Sequence, residues 1–188
     1  QLMQQAIDSD GERFLYHCNL GNVLYVQGEF EMARRSFERA IELNAEYAPA
    51  HYDLAITLDQ LGERTAAIAA YRRAARLAPE RAHCWRNLGV LLADEGRYVE
   101  AIASYRQALH VQPDYAEVHF LLGLLLVRQG DIDEAAKSYL RAIVHQRDFV
   151  AAHNNLCALL LEHNSYEEAL TTCALTVDLN PRAHHAYV

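Results

Sequence analysis

The sequence predicts an all-α solenoid of antiparallel helix–turn–helix units, and three observations predict it. One pattern of residues recurs every 34 positions along the 188-residue chain. Each period holds two stretches of about 13 residues whose apolar positions fall at helical spacing. Glycine separates the two stretches, and proline recurs at the close of the period (Pro79, Pro113, Pro181).

The elements follow in order. A Leu-small pair marks the first helix of each unit: Leu20-Gly21, Leu54-Ala55, Leu88-Gly89, Leu122-Gly123 and Leu156-Cys157. That helix ends near Gly28, Gly62, Gly96, Gly130 and Asn164, where a left-handed residue terminates helical hydrogen bonding. The second helix carries a small residue at Ala33, Ala67, Ala101, Ala135 and Ala169. Four residues on stands a larger apolar residue in most units: Phe37, Tyr71, Tyr105, Tyr139 and, in the last, Cys173. Ala40, Ala74, Ala108, Ala142 and Thr176 follow. The small residues let neighbouring helices approach, and the ring fills the space left. One hairpin cannot bury its own apolar face, so the units must stack.

This skeleton resembles the tetratricopeptide repeat (TPR) signature W-x2-L-G-x2-Y…A-x3-F…P, most closely in Trp85, Leu88, Gly89, Leu92, Ala101, Tyr105 and Pro113. The resemblance implies a right-handed α-solenoid with repeats at 14–47, 48–81, 82–115, 116–149 and 150–183. Residues 1–13 read as the end of a preceding repeat and 184–188 as the start of a further repeat or a capping helix. The chain opens Gln1-Leu2-Met3 without an initiator Met and reads as a fragment.

Composition narrows the function. An apolar fraction of 52% suffices for a folded core, and no Pro-rich or Ser/Gly-rich stretch reads as a linker. A net charge of −8 argues against nucleic acid and anionic membranes as partners. The longest apolar run, Phe120 to Val127, falls short of the roughly 20 residues that span a bilayer. Cys18, Cys84, Cys157 and Cys173 lack metal-ligand spacing and read as buried or half-buried thiols, which favours a reducing, cytoplasmic setting.

The resemblance implies that repeat positions 2, 5, 6, 9, 12 and 13 point toward a concave face and are not consumed by packing. In the fourth repeat they supply an apolar strip, Phe120, Leu121, Leu124 and Val127, flanked by Arg86 and Arg128. An apolar patch rimmed by charge marks a partner site. Tyr52 joins these as an anchor. Asn19, Asn87 and Asn155 share position 6, with Asn22 nearby; an amide donates and accepts, so it can hold a peptide backbone. The row is similar to the asparagine ladder of O-GlcNAc transferase, interrupted here by Asp53 and Leu121. The carboxylate clamp that TPR proteins use for acidic chaperone tails lacks its two lysines and its arginine. Asp53, Asp59, Asp94, Glu117 and Glu162 on the same face favour a partner with apolar anchors and some basic charge.

No catalytic, cofactor or metal site is expected. His17, His51, His119 and His153 occupy position 4, a packing position, one per repeat. Successive rings then lie about 10 Å apart, too far to share a zinc ion with bonds near 2 Å. Cys157 and Cys173 face each other across one repeat as apolar fillers, Glu167-Glu168 reads as solvated surface, and His184-His185 carries no site. The reading is therefore a protein–protein interaction scaffold that binds a peptide or helix. Two alternatives are the substrate-recognition arm of an O-GlcNAc-transferase-like glycosyltransferase and a structural module that self-associates through exposed terminal repeats.

Overall fold

The computed structural model describes residues 2–163, with side chains described from residue 13 onward. Cys173, Ala169, Thr176, Pro181, the Glu167-Glu168 and His184-His185 pairs and the segment 184–188 lie outside the described residues. Among the described residues there are nine helices and no strand. They are α1 (Leu2–Val26), α2 (Phe30–Leu43), α3 (Ala48–Gln60), α4 (Arg64–Leu77), α5 (Ala82–Asp94), α6 (Tyr98–Val111), α7 (Ala116–Gln129), α8 (Ile132–His145) and α9 (Val150–Glu162).

The helices belong to two compact units, Gln1–Glu95 and Gly96–Val188. In the first, α1 pairs with α2 and α3 with α4, while α2 packs on α3 and α4 on α5. In the second, α7 pairs with α8, α6 packs on α7 and α8 on α9. Three of the expected hairpins, α1–α2, α3–α4 and α7–α8, are therefore present within the units.

The turns form where glycine was expected to form them. Gly28, Gly62, Gly96 and Gly130 have φ between 72° and 81°, the left-handed region that costs glycine least. After Gly28, the Glu29 N–H returns to the Leu24 carbonyl at 2.9 Å, satisfying an acceptor the helix end would leave open. Helix α1 runs unbroken from Leu2 to Val26, so residues 2–13 continue directly into the first helix of the first repeat. No proline interrupts the helical ladder over that span.

Packing is set by size. Ala33, Phe37 and Ala40 are at most 1% exposed, and Ala135, Tyr139 and Ala142 likewise. A methyl group added to Gly21 would lie 2.6 Å from the Phe37 ring, and one added to Gly123 2.6 Å from Tyr139. Positions 8 and 24 of a repeat thus touch. The thiol reading fails for one cysteine for this reason: Cys157, at position 8, is disulfide-bonded, whereas Cys18 and Cys84 are free and buried.

The ring at position 4 adds a tie between repeats. Nε2 of His51, His119 and His153 meets the carbonyls of Ala45, Pro113 and Arg147 at 2.9, 2.8 and 3.0 Å. Trp85 Nε1 donates to the Pro79 carbonyl at 3.1 Å in the same place. A carbonyl only accepts, so each histidine carries its proton on Nε2. Exposed ion pairs, among them Arg34–Glu63 at 2.9 Å and Arg106–Glu134 at 3.0 Å, also join consecutive repeats, each contributing about 0–1 kcal/mol.

Two outcomes are expected. Gly123→Val forces the Tyr139 ring from its site and should cost about 1–3 kcal/mol, read as an earlier unfolding midpoint. Burial pushes the His119 imidazole below its ordinary value, opposed by the Pro113 carbonyl and reinforced by Arg141 and His145. The neutral ring's contribution is therefore full above about pH 6.5 and falls away as acid protonates the unfolded chain first. His119→Trp, which copies Trp85, keeps the donor without titrating. Thermal melts at pH 7.5 and 5.5 should show a smaller loss in this variant than in wild type.

Candidate partner-binding face

The first helices of the repeats present the side chains that hairpin packing does not consume. In the unit Gln1–Glu95, three of the expected residues come together. Asn87 Nδ2 donates to the Tyr52 hydroxyl at 2.9 Å, and Arg86 donates to Asn87 Oδ1 at 2.8 Å. The Tyr52 ring meets His83 edge-on with centroids 4.9 Å apart and Tyr71 at 5.7 Å. The Asn87 amide is thus engaged at both ends by its own chain, and it hydrogen-bonds Tyr71 as well. Asn19 and Asn22 stand exposed on α1.

Burial governs the titratable groups here. It pushes the Cys18 thiol up to about 11, with the charge of Asp53 adding to it, and the Cys84 thiol also to about 11. Neither is a thiolate at neutral pH, so neither is a ready nucleophile. Burial also lowers His83, with Arg81 adding, and raises Asp53 to about 6 against the pull of Arg81.

In the unit Gly96–Val188, Phe120, Leu121, Leu124 and Val127 line one side of α7, all half-buried. Phe120 rests on Phe149 at 5.0 Å and on Tyr139 at 5.9 Å between centroids, so it is seated rather than loose. Arg128, exposed at the end of α7, donates to the Tyr98 hydroxyl at 3.1 Å with its guanidinium 5.5 Å from the ring centroid. Asn155 donates to the Ala151 carbonyl one turn back at 2.8 Å. Tyr98 and Phe149 were missed in the sequence, since neither occupies a position assigned to the face. For Phe149 the signal was the aromatic residue that stands ahead of three of the first helices (Tyr47, Tyr115, Phe149), with Arg81 in that place ahead of α5.

Asp53 gives a direct test of this electrostatics. Its folded value lies above the ordinary 3.8, so the acid's favourable contribution is present at low pH and lost as pH rises through about 6. Asp53→Asn removes the penalty and restores asparagine at position 6. At pH 7.5 it should stabilise the chain by about 1 kcal/mol after allowance for solvent screening. Near pH 4 the gain should vanish; urea titrations at the two pH values read the difference.

The tetratricopeptide repeat model matches residues 18–82, 52–116, 87–151 and 120–184. Comparison with curated proteins returns no significant match. Among solved structures, a MamA protein superposes with a TM-score of 0.84 at 18% identity, over 95% of this chain and 97% of its own. YrrB, described as a TPR protein with an unusual peptide-binding site, gives 0.79 at 22% identity, over 99% and 97%. The Pseudomonas aeruginosa PilF gives 0.74 at 22%, over 92% and 78%. At these identities the likeness is one of fold. With its overlapping family matches spanning residues 18–184, the chain belongs to the tetratricopeptide repeat family.

Proposed function

We propose that this chain is a non-catalytic interaction scaffold that holds a peptide or helix of a partner protein against the first helices of its repeats. The observation that carries the reading is the row on α7. Positions 5, 6, 9 and 12 are all apolar in the fourth repeat, whereas the fifth holds Asn154, Asn155, Ala158 and Leu161 there and the first Cys18, Asn19, Asn22 and Tyr25. The row keeps apolar surface in water that a partner would cover, at about 25 cal/mol per Å². Repeat arrays of this kind build extended concave binding surfaces, and the description of YrrB as peptide-binding supports the same use of the fold. Tyr52, Asn87 and Arg86 supply polar contacts in the other unit, with Arg128 and Asn155 in this one. Asp53, Asp59, Asp94, Glu117 and Glu162 favour a partner that carries basic charge beside its apolar anchors.

A second reading, self-association through the first repeat, has its own support. Tyr16, Leu20 and Val23 are 66%, 37% and 55% exposed, while their equivalents in the later repeats (Ala50, Leu54 and Thr57, for example) are at most 9% exposed. A second copy laid on α1 would cover them. Sedimentation over a range of concentrations should then show association that Val23→Lys abolishes.

The scaffold reading is tested by affinity capture with wild type and with Phe120→Glu/Leu124→Glu, after circular dichroism confirms that the variant keeps its helices. A protein retained by wild type and lost with the folded variant is the expected result. Equal capture by both would remove α7 as the site.

A further inference from the structure

A second concavity lies apart from the α7 row, between second helices. Side chains of α6 and α8 enclose a groove of about 470 Å³ over the α6–α7 turn. Leu109 and Leu122 give it an apolar floor. Its walls are rich in N–H donors: Arg106 and His110 from α6, His119 from α7, Arg141 and His145 from α8, with Glu134 as the one carboxylate.

The charges are not balanced. Glu134 holds Arg106 through both oxygens at 3.0 Å, which leaves the charge of Arg141 in excess. Arg141 meets no carboxylate among the described residues. A residual positive charge is therefore set into a chain of net charge −8. His119 is 4% exposed and its Nδ1 has no hydrogen-bond partner, because Nε2 serves the Pro113 carbonyl. His145 stacks on it with centroids 5.7 Å apart and planes 14° from parallel. Stacked rings do not aim lone pairs at one centre, and among the described residues no three metal-ligating side chains gather to hold an ion.

We propose that this groove binds a phosphate group, free or on a small ester, held by Arg141 together with His110 and His145. Arginine offers a fork of N–H donors that matches phosphate oxygens, and imidazole N–H donors complete the set. A lone carboxylate would be satisfied by Arg141 alone and would leave the imidazoles unused.

Histidine-resolved NMR tests this on the whole chain, with inorganic phosphate, phenyl phosphate and acetate added at equal ionic strength. Either phosphate should shift the His110, His119 and His145 signals saturably, with a dissociation constant of about 10 mM or below, and should leave His51 unmoved. Stronger binding of phenyl phosphate would assign the apolar floor to an ester; equal binding would assign the site to the free ion. Affinity should fall as salt is raised, because the contact is one between charges partly open to water. Arg141→Gln, at an exposed position, should melt as wild type does and bind at least about tenfold more weakly; His145→Gln should bind more weakly too, by a smaller factor. Acetate acting as strongly as phosphate, equal shifts at every histidine, or full binding by Arg141→Gln would each overturn the proposal.

Discussion

The aromatic ring in the middle of a second helix can be buried only where the residue facing it on the first helix is almost absent. Phe37 over Gly21 and Tyr139 over Gly123 show the constraint at its tightest, with no room for even a methyl group at either glycine. This contact fixes how closely the two helices of a hairpin lie, and with them the register of every other side chain. A cysteine at the same position is disulfide-bonded, as two side chains forced into contact there would allow.

From that register the division of labour follows. Positions 7 and 11 of a first helix belong to the core, and Leu88, Leu92, Leu122 and Leu126 are buried. Position 4 turns its ring back to the carbonyl that ends the previous repeat, so one hydrogen bond stitches each junction whether the residue is His or Trp. What remains, positions 5, 6, 9 and 12, varies more in burial, from the buried Cys18 to the exposed Asn19 and Asn22. A repeat protein can therefore vary its binding surface without disturbing its core, which suits an interaction scaffold.

The period, the turn glycines and the buried ring positions were legible because each is dictated locally or by its neighbour one repeat away. Partnerships among the face residues were less so. Asn87 looks like a free amide in the sequence, yet Tyr52 lies 35 residues earlier and takes its N–H. Arg128 reads as a rim charge, yet it lies over Tyr98. Such contacts depend on side-chain reach between stacked helices, which a repeat pattern does not encode. The groove between α6 and α8 was illegible for the same reason: His110, Arg141 and His145 occupy different repeat positions and meet only when consecutive second helices are brought side by side.

If the α7 row is spare surface rather than packing, its loss should leave the fold intact. The unfolding free energy of Leu121→Gln/Leu124→Gln/Val127→Gln, set against that of Leu122→Ala, tests this without knowledge of any partner. The triple variant should stay within about 0.5 kcal/mol per site of wild type, while Leu122→Ala should lose about 2–5 kcal/mol. A loss in the triple variant as large as that of the core truncation would contradict it, because the row would then be holding the repeats together.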